Sequence, residues 1–103
     1  MSRLPVIVRP EAQEDLIAAA SWYEEQRGGL GRQFLNRFSA LIDRIAEMPE
    51  MYGVIAENVR AAGIRKFSYL AYYRVFPDRL EILAVLHASR GRGEVQSRIS
   101  SSQ

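Results

Sequence analysis

At 103 residues, with 48% hydrophobic and 25% charged side chains, the chain has room for one ordinary globular core and none for a second domain. It contains no cysteine, which excludes disulfides, thiolate metal sites and a cysteine nucleophile and makes a reducing cytosol the expected setting. The net charge of +2 conceals an asymmetry: residues 1–50 carry six Arg against eight acidic residues, giving −2, whereas residues 51–103 carry seven Arg and Lys66 against four, giving +4. A basic surface is therefore expected in the second half, and arginine's planar fork suits it to carboxylates and phosphates of another macromolecule.

Residues 3–8 read as a short strand whose apolar run, Val6-Ile7-Val8, falls far below the ~20 residues of a membrane span. Pro10 suits the first position of a helix, where its missing N–H has no partner to lose, and Glu11, Glu14 and Asp15 place negative charge at the positive end of the helix dipole. Ala12, Leu16, Ala19/Ala20 and Tyr23 recur at helical spacing, so a helix is expected over 10–27, stopped by Gly28-Gly29. Leu30, Phe34, Phe38, Leu41/Ile42 and Ile45 repeat that period more strongly over 30–48, with Pro49 as the stop. The short Gly-Gly-Leu-Gly link makes the two helices antiparallel neighbours.

A weak strand region is expected over 54–64, broken by Ala61-Ala62-Gly63. Tyrosines and branched residues mark a strand over 69–76, Pro77-Asp78 a turn, and 80–87 the most apolar strand, which should pair with 69–76 as a hairpin. Strict alternation would put Ile82, Ala84 and Leu86 on one face and Leu83 and Val85 on the other. From Ser89 onward Gly, Arg and Ser dominate, so 99–103 is expected to be a flexible tail after a single domain spanning 1–98. The fold class is thus α+β: an N-terminal strand and a two-helix antiparallel hairpin packed on one face of an antiparallel sheet. The other face of the sheet should then stay partly uncovered and available to a partner.

Phosphate-binding glycine loops, nucleophile elbows and paired histidines are all missing, so neither a cofactor nor a metal is expected. What stands out is the set Arg60, Arg65, Lys66, Tyr69, Tyr72, Tyr73, Arg74, His87 and Arg90 on or beside the C-terminal strands. Cations interleaved with aromatics can grip phosphates and stack bases; the same tyrosines can equally be core residues with hydroxyls at the rim, and the arginines a solvated face. His87, the only histidine, could serve as an acid or base near neutral pH, or simply fix the start of the tail by a hydrogen bond.

The order of Pro10-Glu11-Ala12, Asp15-Leu16, Trp22-Tyr23, Gly29-Leu30-Gly31, Phe34-Leu35, Met48-Pro49, Val59-Arg60, Arg65-Lys66-Phe67, Tyr72-Tyr73-Arg74-Val75 and Leu83-Ala84-Val85-Leu86-His87 with Ser89-Arg90 resembles the RelE/ParE superfamily of bacterial type II toxin–antitoxin toxins, in its ParE-like, plasmid-stabilization branch. The resemblance implies a cytoplasmic growth inhibitor neutralised by a cognate antitoxin. On the ParE-like reading it binds a protein target such as DNA gyrase, and Arg60, Arg65, Lys66, Arg74 and Arg90 are the target-binding candidates. On the RelE-like alternative it cleaves messenger RNA on the ribosome without a metal, and His87, Arg65, Arg74 and Arg90 are the catalytic candidates. RelE-like enzymes place a tyrosine near the C-terminus, whereas no tyrosine follows Tyr73 in this chain, leaving His87 as the only acid–base group.

Overall fold

The structure, a computed structural model, describes residues 3–101. Its elements run β1 (Val6–Val8), α1 (Pro10–Gln26), α2 (Leu30–Glu47), β2 (Val54–Ala56), β3 (Val59–Gly63), β4 (Tyr69–Val75), β5 (Leu80–His87) and α3 (Gly91–Ser101). Both long helices fall within one residue of the spans that periodicity predicts. The five strands form one sheet in the order β1-β5-β4-β3-β2, antiparallel except that β1 lies parallel to β5. The first and last strands of the chain are therefore neighbours, and β5 and β4 form the centre.

The helical hairpin is fixed by its glycines and by one carboxylate. Gly29 adopts a left-handed φ of 89°, open to glycine at no steric cost. Gly31 sits where a Cβ would come within 2.6 Å of the Ala20 carbonyl oxygen, so only a glycine lets α2 approach α1 this closely. Glu24, near the end of α1, accepts hydrogen bonds from the Gly29 and Gly31 N–H groups at 2.9 and 3.0 Å, capping α2 with a side chain from its neighbour. These two N–H groups hold the Glu24 carboxyl below the usual carboxylate range. A folded value below the unfolded one, roughly 4.3, means that the cap contributes stability at neutral pH and loses it as the pH falls from that value through the folded one. Glu24→Gln should therefore lower the thermal midpoint at pH 7 and leave it unchanged near pH 2, as two melts would show.

One face of the sheet packs on the hairpin. Phe34, Phe38, Leu41 and Ile45 of α2 meet Ala62, Ala71, Tyr73, Leu80, Ile82 and Val85 from the strands. At one end of this layer Phe34 is ringed by Tyr23, Phe67 and Tyr69 with centroid separations of 5.4, 5.2 and 5.3 Å. Tyr73 donates its hydroxyl hydrogen to the Pro49 carbonyl at 2.6 Å, and burial pushes its pKa up to about 12.

Three expectations are corrected. The weak strand region breaks not at Ala61-Ala62-Gly63 but at Glu57-Asn58, whose φ angles of 44° and 68° are those of a tight two-residue hairpin turn, and the alanines lie inside β3. Alternation along β5 is interrupted because Tyr72 pairs with Ala84 and Tyr73 with Ile82, leaving Leu83 as an inserted residue. Consequently Ile82 and Val85 join the hairpin-side core, whereas Leu83, Ala84 and Leu86 face the other way. The third correction concerns the tail.

Instead of a mobile segment, residues 91–101 form α3, which lies over the second face of the sheet. Val95 and Ile99, four residues apart and each 1% exposed, close over Val59, Tyr72, Leu83, Ala84 and Leu86. Residues 99–101 of the expected tail thus belong to the helix, and residues 102–103 lie outside the described residues. The face expected to await a partner is covered by the chain itself. Gly91 starts α3 against the Tyr72 ring, where a Cβ would overlap the hydroxyl. Among the described residues no helix is long and apolar enough to cross a membrane.

Candidate functional site

The antiparallel pairing of β4 with β5 sets Tyr69 opposite His87, and the rings meet edge to face at 5.4 Å. Next to them stands α1, whose residues Asp15, Ala18, Ala19 and Trp22 share one helical face. Together these elements border an open cleft of about 610 Å³, lined by Trp22, Tyr23, Tyr69, His87, Ser89 and Arg90 with Val85 among them. Trp22, the chain's single tryptophan, is 54% exposed there while its ring sits 5.1 Å from that of Tyr23. An aromatic this open beside a cleft has the character of a binding anchor, because large rigid side chains supply contact area at low entropy cost.

His87 is held in one tautomer. Its Nδ1 accepts the Ser89 backbone N–H at 3.1 Å, with the Ser89 hydroxyl oxygen 2.9 Å from the same nitrogen. A backbone N–H can only donate, so Nδ1 carries the lone pair and Nε2 carries the proton of the neutral ring. The Nδ1 lone pair is therefore engaged by the chain's own backbone. This matches the local hydrogen bond expected as the alternative to catalysis.

The predicted basic set does not converge. Arg90 and His87 reach the cleft, and exposed Arg65 and Lys66 occupy the β3–β4 turn at the same end of the sheet. Arg74 lies five residues along β4 from Tyr69, about 17 Å away at strand spacing. It borders a separate depression with Glu57, Asn58 and Phe76, and its Nε is buried without a hydrogen-bond partner. Arg60 donates to the Tyr52 and Glu50 carbonyls at 2.6 and 3.3 Å, which ties down the α2–β2 loop. Of the four catalytic candidates only His87 and Arg90 share a cavity, and of the five target-binding candidates Arg65, Lys66 and Arg90 share an end of the molecule. The three tyrosines of that set divide similarly: Tyr72 and Tyr73 are core residues on opposite faces, whereas Tyr69 lines the cleft beside Tyr23.

Sequence reading named Asp15 and Trp22 as parts of a resemblance but not as site residues. The i, i+3, i+4, i+7 spacing of Asp15, Ala18, Ala19 and Trp22 was the available signal. Arg98 was not singled out at all, and its partner is Asp15. The guanidinium and carboxylate form a two-pronged pair at 2.6 and 3.0 Å, with Asp15 itself lining the cleft, and this pairing holds Arg98 above the usual arginine range. Among the described residues no group of acidic and histidine side chains could hold a metal ion.

The chain's relatives are consistent with this architecture. Residues 6–92 match the family model described as the ParE toxin of the type II toxin–antitoxin system parDE. Toxin ParE2 of Mycobacterium tuberculosis, in strains CDC 1551 / Oshkosh and H37Rv, is 28% identical over 89 residues, covering 85% of this chain and 85% of the relative. Among solved structures, the chromosomal ParDE system from P. aeruginosa superposes with a TM-score of 0.62 at 15% identity, over 82% of this chain and 96% of that one. The YoeB dimer from Staphylococcus aureus superposes with a TM-score of 0.55 at 18% identity, over 81% and 94%. At those identities the two structures speak for the fold. With the family model matched along most of its length, the chain belongs to the ParE toxins of type II toxin–antitoxin systems.

Proposed function

We propose that this toxin arrests growth in the cytoplasm by binding a protein target, DNA gyrase on the family's precedent, with no reaction of its own, and that a cognate antitoxin neutralises it. The observation that carries this reading is the open cleft around Trp22, which offers an aromatic anchor with Arg90 at its rim and Arg65 and Lys66 nearby, an arrangement suited to a protein surface. The antitoxin is inferred from the family, and a segment with apolar residues and acidic flanks would suit the same end of the molecule.

The ribonuclease alternative asks for a base, an acid and several cations about one phosphate. His87 and Arg90 are near each other, which is what favours it. Against it stand the occupied Nδ1 of His87 and the ~17 Å that separate Arg74 from that end of β4. His87→Ala should therefore leave growth arrest intact on expression, and purified toxin should raise the fraction of gyrase-bound cleaved DNA. Loss of arrest in that variant, together with ribosome-stimulated cleavage of messenger RNA by the wild type, would replace the gyrase reading with the ribonuclease one.

A further inference from the structure

β1 covers only part of its neighbour. Its register spans Leu80–Ile82, and the last main-chain bond across this edge runs from the Arg9 N–H to the Ile82 carbonyl at 3.1 Å. β5 continues to His87, so from Leu83 onward its outer edge has no strand beside it among the described residues. Two side chains stand there instead. Asp15 of α1 accepts the Val85 N–H at 2.9 Å, and Arg98 of α3 donates to the Leu83 carbonyl at 3.1 Å. The two also bind each other, with the side chains only 12% and 18% exposed. They come from helices on opposite faces of the sheet and meet at its rim, occupying the positions a longer β1 would fill.

A charge pair so far withdrawn from water gains little stability over apolar packing, so its placement calls for another reason. The strand it borders supplies one. Leu83-Ala84-Val85-Leu86 is uncharged and apolar, and an edge of that composition is a template for adding another strand. We propose that the outer edge of β5 is a strand-pairing surface for a second copy of this chain, kept shut by the Asp15–Arg98 pair. A second copy fits because antiparallel pairing about a two-fold axis sets this stretch against itself, where no charge opposes it. The cleft alongside Val85 and His87 leaves room for the approach. The proposal does not depend on the toxin's target.

The test is the association state of the purified full-length toxin by analytical ultracentrifugation, with amide exchange at Val85. Wild type should be monomeric and its Val85 amide protected. Asp15→Ala should give a concentration-dependent dimer, and at concentrations too low for dimer its Val85 amide should exchange at least about tenfold faster. Arg98→Met, which frees the Leu83 carbonyl and removes the cation beside Asp15 but leaves the Asp15 bond to the Val85 N–H, should dimerise more weakly, and it decides the matter if Asp15→Ala does not fold. Adding Val85→Pro to Asp15→Ala removes the donor and should return a monomer. If that double variant does not fold, protection of the Val85 amide in the Asp15→Ala dimer takes its place. A wild-type dimer, monomers in both single variants, or a dimer with a fast-exchanging Val85 amide would each overturn the proposal.

Discussion

Replacing Phe34 with alanine should lower the unfolding free energy by about 3–5 kcal/mol, the range for emptying a fully buried aromatic site. The ring is 0% exposed and stands between three other aromatics, so its loss removes transfer free energy and leaves a cavity between stiff neighbours that cannot collapse into it. Against a total of roughly 5–15 kcal/mol for a domain of ordinary stability, this is a large share. Leu35, the next residue, is 43% exposed on the outer side of α2, and Leu35→Ala should cost about 1 kcal/mol or less. Urea titrations of the two variants provide the check. Equal midpoints would mean that the aromatic ring around Phe34 does not anchor the hairpin to the sheet.

Ile99→Asp should be nearly as damaging, for a different reason. Its side chain is sealed between α3 and the second face of the sheet, where a carboxylate would lie among Tyr72, Leu83, Ala84 and Leu86, out of water. Burying an unpaired charge costs at least several kcal/mol, so the helix will detach before it accepts one. An 11-residue helix does not persist in water without packing, so α3 should melt while the rest of the fold survives. The expected signature is a loss of about 3 kcal/mol in stability, a reduced helical circular dichroism signal, and binding of a hydrophobic dye to the uncovered strands. Ser100→Asp, one residue along on the exposed side, should show none of these. An Ile99→Asp variant that melts like wild type and binds no dye would show that α3 does not protect the sheet.

The two long helices were legible in the sequence because their signals are local. Pro10 opens α1, the glycines separate it from α2, and the spacing of Phe34, Phe38, Leu41 and Ile45 marks one face. The β4–β5 hairpin was equally legible from its tyrosines and the Pro77-Asp78 turn. What escaped depends on tertiary geometry. No local pattern announces that Leu83 is an extra residue, since the insertion exists only relative to Tyr72 and Tyr73 on the next strand. The α3 helix was hidden because Gly is a poor and Ser a middling helix former, and its two anchors, Val95 and Ile99, matter only because an apolar strand lies beneath them. The same blindness affected the site. Grouping Arg60 and Arg74 with His87 followed their closeness in sequence, but antiparallel strands carry residues a few positions apart to opposite faces and ends of a sheet. Trp22 and Asp15 were missed because the cleft they line is made by α1 and β5, about seventy residues apart in the chain.

The parallel neighbours β1 and β5 also bear on how the chain is made. Synthesis produces residues 6–8 about seventy residues ahead of residues 80–87, so β1 has nothing to pair with until β5 has been made. β2, β3 and β4 pair with neighbours in sequence and can form earlier, but the second edge of β4 and the packing of α3 must wait for β5. Nascent chains of this kind can build the α1–α2 hairpin early, but they cannot close the sheet beneath it, because the pairing of β1 with β5, so distant in sequence, forms only when both strands have been released. The cleft between α1 and β5 comes into being at the same late moment. A ribosome translating this message therefore carries a chain without its cleft until β5 emerges, and the interval between that emergence and closure of the sheet is when a binding partner made nearby would first meet the assembling site.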